Sequence, residues 1–154
     1  MKAFSIDYSK LPVQWSHIII DGDQGAGKSS LANEMAEVLG ANVISLDDFL
    51  PGNHAVYWEQ IQYESLHSKI SSSGPKVIIE GVCILKILAQ IHVPYDYHVF
   101  IELRNGFSGW EYGYYLSETA KQPKSKLTQN IIRYYKEFKP FEICDLFLSR
   151  DLVG

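Results

Sequence analysis

Short apolar runs alternate along this chain with segments whose apolar residues recur every three or four positions. Ile18-Ile19-Ile20, Val43-Ile44-Ser45-Leu46, Val77-Ile78-Ile79, His98-Val99-Phe100-Ile101 and Leu146-Phe147-Leu148 read as strands. A run apolar throughout, such as 77–79, predicts a parallel strand covered on both faces. Between the strands, Leu31, Met35, Val38 and Leu39 fall at helical spacing. So do Tyr57, Ile61, Leu66 and Ile70, on a helix expected over about 55–71 and stopped by Ser71-Ser72-Ser73-Gly74-Pro75. A short helix is expected through Ile84, Leu88 and Ile91, and a long one over 127–138. Strands alternating with helices predict an α/β fold in three layers, a parallel sheet of about five strands with helices on both faces. No repeat or linker interrupts the pattern, so residues 1–154 are expected to form a single domain.

Composition narrows the class. A chain of 154 residues, 46% of them hydrophobic, buries one core but not two. Fourteen basic against eighteen acidic side chains give a net charge of -4, which argues against a nucleic-acid partner. Cys83 and Cys144 lack metal-site spacing and read as small hydrophobes in a reducing compartment. Lys2, Asp7 and Lys10 interrupt the N-terminal residues, so no secretory core is expected there. No apolar run approaches the roughly 20 residues of a membrane span. A cytoplasmic protein without membrane contact is the expectation.

The chemistry concentrates in Gly22-Asp23-Gln24-Gly25-Ala26-Gly27-Lys28-Ser29, a complete match to the phosphate-cradling pattern G-x-x-x-x-G-K-[ST]. It follows a strand and opens a helix, as the chemistry requires. The glycines let backbone N–H groups turn inward around phosphate oxygens, and the helix points its positive end at them. Lys28 reaches the outer phosphates and the Ser29 hydroxyl takes a place on Mg²⁺, with Ser30 beside it on the same turn. Acidic residues end the other strands: Asp47-Asp48, Glu80 and Glu102. In open parallel sheets ligands bind beyond those carboxyl ends. Glu80, closing an apolar strand, suits the metal. Asp47 suits the task of accepting a proton from an attacking hydroxyl.

Four places taken in order resemble the uridine kinase, phosphoribulokinase and pantothenate kinase branch of the P-loop kinases. They are Asp21 to Ser29, Leu46-Asp47-Asp48-Phe49-Leu50, Ile78-Ile79-Glu80-Gly81, and Tyr135-Lys136-Glu137-Phe138-Lys139-Pro140 with Asp145 following. The resemblance spans most of the chain from residue 16 onward. It implies the P-loop NTPase fold of nucleoside and nucleotide kinases, ATP and Mg²⁺ as cofactors, and Asp47 acting on the acceptor hydroxyl. It also implies a lid over about 105–126, a stretch rich in glycine and aromatic residues that turns basic at Lys121, Lys124 and Lys126. Uridine kinases carry several lid arginines, whereas Arg104 is the only arginine here before Arg133. Lys124 and Lys126 fall about where the later ones would stand, but lysine lacks the planar two-pronged donor. Slower transfer or a different substrate is the implied consequence. Arg104 reads as catalytic or structural. Tyr57 and Trp58, in the segment that contacts the acceptor in such kinases, read as stacking on a base or as anchoring their helix to the sheet.

The function expected from these features is Mg²⁺- and ATP-dependent phosphoryl transfer to a hydroxyl of a small molecule, a nucleoside or other sugar-like compound. The alternative is a nucleotide-binding sensor with little transfer activity, suggested by the arginine-poor lid. A switch GTPase is disfavoured, because no guanine-reading N-K-x-D sequence occurs.

Overall fold

Three consecutive isoleucines leave the first strand no side to turn to solvent, and the fold accommodates them by placing it inside the sheet. In the computed structural model, which describes residues 4–51, 57–106, 109–117, 120–123 and 125–152, β1 (His17–Gly22) carries Ile18, Ile19 and Ile20 with none of their surface exposed. The chain then forms α1 (Lys28–Leu39), β2 (Asn42–Ser45), a 3₁₀ turn at Leu46–Phe49, α2 (Tyr57–Gln60), α3 (Tyr63–Ser72) and β3 (Val77–Glu80). It continues through α4 (Ile84–Gln90), β4 (Tyr97–Asn105), β5 (Gly109–Trp110), α5 (Glu111–Tyr115), α6 (Lys126–Phe138), α7 (Pro140–Ile143) and β6 (Leu146–Asp151).

The sheet runs β2-β3-β1-β4, and β6 pairs in parallel with the outer edge of β4. All five of these strands are parallel, as expected. A sixth departs from the expected count: β5 pairs antiparallel with the end of β4, Arg104 opposite Trp110. Arg104 also pairs with Asp151 of β6, so β5 and β6 occupy opposite edges of β4. From β1 the chain crosses toward β2, and from β3 it crosses the other way toward β4. Their carboxyl ends therefore flank a topological switch point, where this class of sheet opens a crevice.

Period-two alternation sorts the core into two layers. Ile18, Ile20, Ile78, Val99 and Ile101 face α1, where Leu31, Ala32, Met35 and Ala36 cover them. Ile19, Ile79 and Phe100 face the other way, onto Leu66 and Ile70 of α3, Ile84 to Leu88 of α4 and Ile131 to Tyr135 of α6. The helices end as their sequences dictate. Gly40 closes α1 in the left-handed conformation at φ 67°, with its N–H on Ala36 O. Ser125 caps α6 by accepting from Thr128 N, and Pro140 past its end starts α7.

The helix expected over 55–71 is broken. Ile61 turns into the core, and the Gln62 N–H leaves the helical ladder to bond Phe49 O of the 3₁₀ turn at 2.9 Å. That bond ties the segment to the residues beside Asp47. Both outer strand ends also run further than their apolar letters suggested, β4 to Asn105 and β6 to Asp151. No helix among the described residues is long and apolar enough to cross a membrane. Cys83 is buried, Cys144 is half-buried, and both are free thiols.

Candidate active site

The glycine loop leaves β1 under a steric constraint that only its first residue meets. A Cβ on Gly22 would lie 2.2 Å from Ile101 O, so β4 approaches the loop too closely for any side chain. Asp23 N then donates to Ile101 O at 3.0 Å, and Ala26 N closes the turn on Asp23 O at 3.2 Å. Gly27 sits at φ 95° and starts α1, whose first-turn amides have no helical carbonyl behind them. These donors face a cavity of about 320 Å³, at the lower end of the range for small-ligand sites. Gln24, Gly25, Gly27, Lys28, Ser29 and Ser30 form one wall; Asp47, Glu80, Gly81 and Val82 line it from the neighbouring strand ends, with Leu127 and Arg150.

Lys28 is buried and folds its ammonium back onto Asp23 O at 2.6 Å. Burial pulls its pKa down, against the opposing fields of Asp21, Glu80, Asp23 and Asp47. The Ser29 hydroxyl donates to Glu80 Oε1 at 3.0 Å, which brings together the two groups expected at the metal. A hydroxyl beside a carboxylate is a hard oxygen pair of the kind Mg²⁺ takes when phosphates supply its other ligands. No cluster of three or more His, Cys, Asp or Glu among the described residues forms a cage on its own. Asp47 stands in the first turn of the 3₁₀ segment, exposed on the same cavity.

Other expected residues lie elsewhere. Arg104 does not line the cavity; its Nη1 donates to Glu102 Oε1 at 2.9 Å, and Ser149 Oγ donates to the same carboxylate at 2.6 Å. Glu102 is thus a buried structural anchor for β4 and β6. Trp58 is buried in the core, with Lys86 and Arg133 over its ring at 4.9 and 5.5 Å. Tyr57 begins α2, and its side chain lies outside the described positions, as does Lys124. Lys126 is exposed at the start of α6, next to the cavity-lining Leu127. The lid-like stretch begins with a packed element: Tyr112 is buried, and Trp110 Nε1 donates to Asp23 Oδ2 at 2.7 Å.

Two roles escaped the sequence. The Asp23 carboxylate is buried inside the loop, where it accepts from Trp110, from Leu103 N at 2.7 Å and from the Tyr135 hydroxyl. Burial pushes its pKa up to about 6, outweighing those donors and Lys28, which pull it down. Below it, Asp21 accepts from Gly22 N and from the Tyr134 hydroxyl, which itself accepts from Leu85 N. The second is Arg150. Leu146, Leu148 and Arg150 alternate onto one strand face, and the two leucines pack on the α1 side. That phase was a signal available in the letters.

A raised carboxyl pKa fixes the sign of a pH effect. Between about pH 4 and 6 the folded state holds the Asp23 proton while the unfolded chain has lost it, so this group's contribution to stability falls as pH rises through that window. Asp23→Asn retains an acceptor and removes the titration. Urea unfolding at pH 4 to 7 is expected to show the variant gaining on the wild type as pH rises. Parallel midpoints throughout the range would mean Asp23 titrates normally.

No family model and no curated relative matches the sequence. Solved structures do. The chain superposes on a possible uridine kinase from Bacillus stearothermophilus with a TM-score of 0.55 at 17% identity, covering 89% of this chain and 90% of that one. A gluconokinase from Sinorhizobium meliloti matches at TM-score 0.49 and 15% identity over 90% and 83% of the two chains. A shikimate kinase from Bacteroides thetaiotaomicron matches at 0.48 and 15% over 88% and 87%. The fold is that of the P-loop kinases. The likeness to the possible uridine kinase, at 17% identity, is one of fold.

Proposed function

We propose that this protein is an ATP-dependent kinase that moves the γ-phosphoryl group to a hydroxyl of a small molecule, a nucleoside being the first acceptor to test. One observation carries the proposal: a single cavity gathers the glycine loop, Lys28, the Ser29–Glu80 pair and the Asp47 carboxylate. Amides of the loop and of the first helical turn bind phosphate oxygens, and Lys28 swings from Asp23 O onto the outer phosphates. Ser29 and Glu80 would hold Mg²⁺, which would supply charge neutralisation at the phosphates. Asp47 orients the acceptor hydroxyl and takes its proton as the new O–P bond forms and the bond to the ADP oxygen breaks. The lid segment, with Lys126 and Lys124, covers the phosphates. The uridine kinase-like fold favours a nucleoside among sugar-like acceptors.

The sensor alternative draws on one specific contact. Arg104, the arginine nearest the lid, is engaged by Glu102 instead of facing the cavity. Incubating the protein with γ-labelled ATP and a panel of nucleosides and sugars, beside a no-acceptor control, separates the two. A kinase transfers label to one acceptor class, and chelating divalent cations abolishes the transfer. Tight ATP binding with no labelled product from any hydroxyl compound would establish the sensor.

A further inference from the structure

Building on the nucleotide-binding function proposed above, we infer that Arg150, on the last strand, supplies the phosphate-neutralising arginine that the lid lacks. Its guanidinium lies directly across the glycine loop: a Cβ built on Gly27 would sit 2.9 Å from Nη1 and 3.9 Å from Cζ. Arg150 lines the same cavity as Lys28, Ser29 and Asp47. Among the described residues its side chain makes no hydrogen bond or ion pair, so the guanidinium at the cavity wall is not engaged by a protein partner there. Arg104 is the opposite case, closed on Glu102 at 2.9 Å.

The placement is built into the sheet. Arg150 pairs with Leu103 in the parallel ladder of β6 on β4, and Ser149 beside it is fixed by its hydroxyl on the buried Glu102. A strand-borne arginine keeps its backbone in place without lid closure. Its planar fork suits two oxygens of one phosphate, a task lysine performs only as a point charge. Arg150 thus binds polyphosphate directly, before any lid contact forms. Gly27 carries a second constraint for the same reason, since a side chain there would occupy the space between the guanidinium and the loop.

Calorimetric titration of wild type, Arg150→Ala and Arg150→Lys with Mg·ATP and with magnesium tripolyphosphate tests this. Arg150→Ala is expected to weaken both ligands by roughly 10-fold or more, the scale of one charge-assisted hydrogen bond, with Arg150→Lys between it and the wild type. The side chain is exposed, so thermal midpoints should stay together. Loss of ATP affinity with tripolyphosphate binding unchanged would mean that Arg150 contacts the base or ribose, and would overturn the inference. Wild-type affinity for both ligands in Arg150→Ala would overturn it while leaving the proposed function standing. A wild-type chain that binds neither ligand would overturn both.

Discussion

Asp47→Asn is expected to leave Mg·ATP affinity near that of the wild type while turnover falls by roughly 10²-fold or more, the scale of general-base assistance. The two effects separate because of where the residue stands. Asp47 belongs to the 3₁₀ turn after β2 and lines the cavity opposite the glycine loop and Lys28, the groups proposed to bind the phosphates. Asparagine matches its shape and can still orient a hydroxyl, but it cannot take the proton. Pre-steady-state transfer with the acceptor found in the labelling screen, alongside calorimetry, measures both quantities. A turnover equal to wild type would remove Asp47 from the chemistry and leave the acceptor proton to solvent.

Lys28→Ala is expected to act on binding and rate together. It is the buried cation facing four carboxylates, Asp21, Asp23, Asp47 and Glu80, which oppose the effect of its burial. Lys28→Ala therefore removes the attraction for polyphosphate and also uncovers the repulsion of those acids. Mg·ATP affinity is expected to fall at least ~10-fold, about 1.4 kcal/mol. Turnover should fall further, by roughly 10²–10³-fold, the scale for deleting one preorganised donor to developing charge. Lys28→Met keeps the apolar stem and serves as a second variant should the alanine form unfold. Unchanged Mg·ATP affinity in a folded variant would reject the loop as the phosphate site.

Much of this was legible in the letters, for physical reasons. Parallel strands buried on both faces must be apolar throughout, so 18–20 and 77–79 declared themselves. The glycine loop is a backbone device whose residues are fixed by sterics, and Ser29 meets Glu80 as the order of strand ends implied. Less legible were features set by long-range pairing. The polar tail of β6 is held by β4 alone, so the strand's extension past 146–148 to Arg150 rests on a long-range pairing that apolar letters do not report. The break between α2 and α3 depends on Phe49 O, which no helical periodicity reports. Trp58 had two readings because an aromatic at helical spacing serves a core or a ligand equally; its burial under Lys86 and Arg133 favours the core.

The Asp23 carboxylate has a consequence for how the site comes into being. Its partners Leu103, Trp110 and Tyr135 lie 80, 87 and 112 residues further along the chain. A contact across that separation forms only after the intervening chain has been ordered, at the entropic cost of closing a long loop. The eight-residue motif is therefore complete in sequence long before it is complete in shape. A nascent chain that has emerged only as far as β3 carries every letter of the phosphate loop and none of these three braces. The shape of the glycine loop is thus a property of the whole assembled sheet.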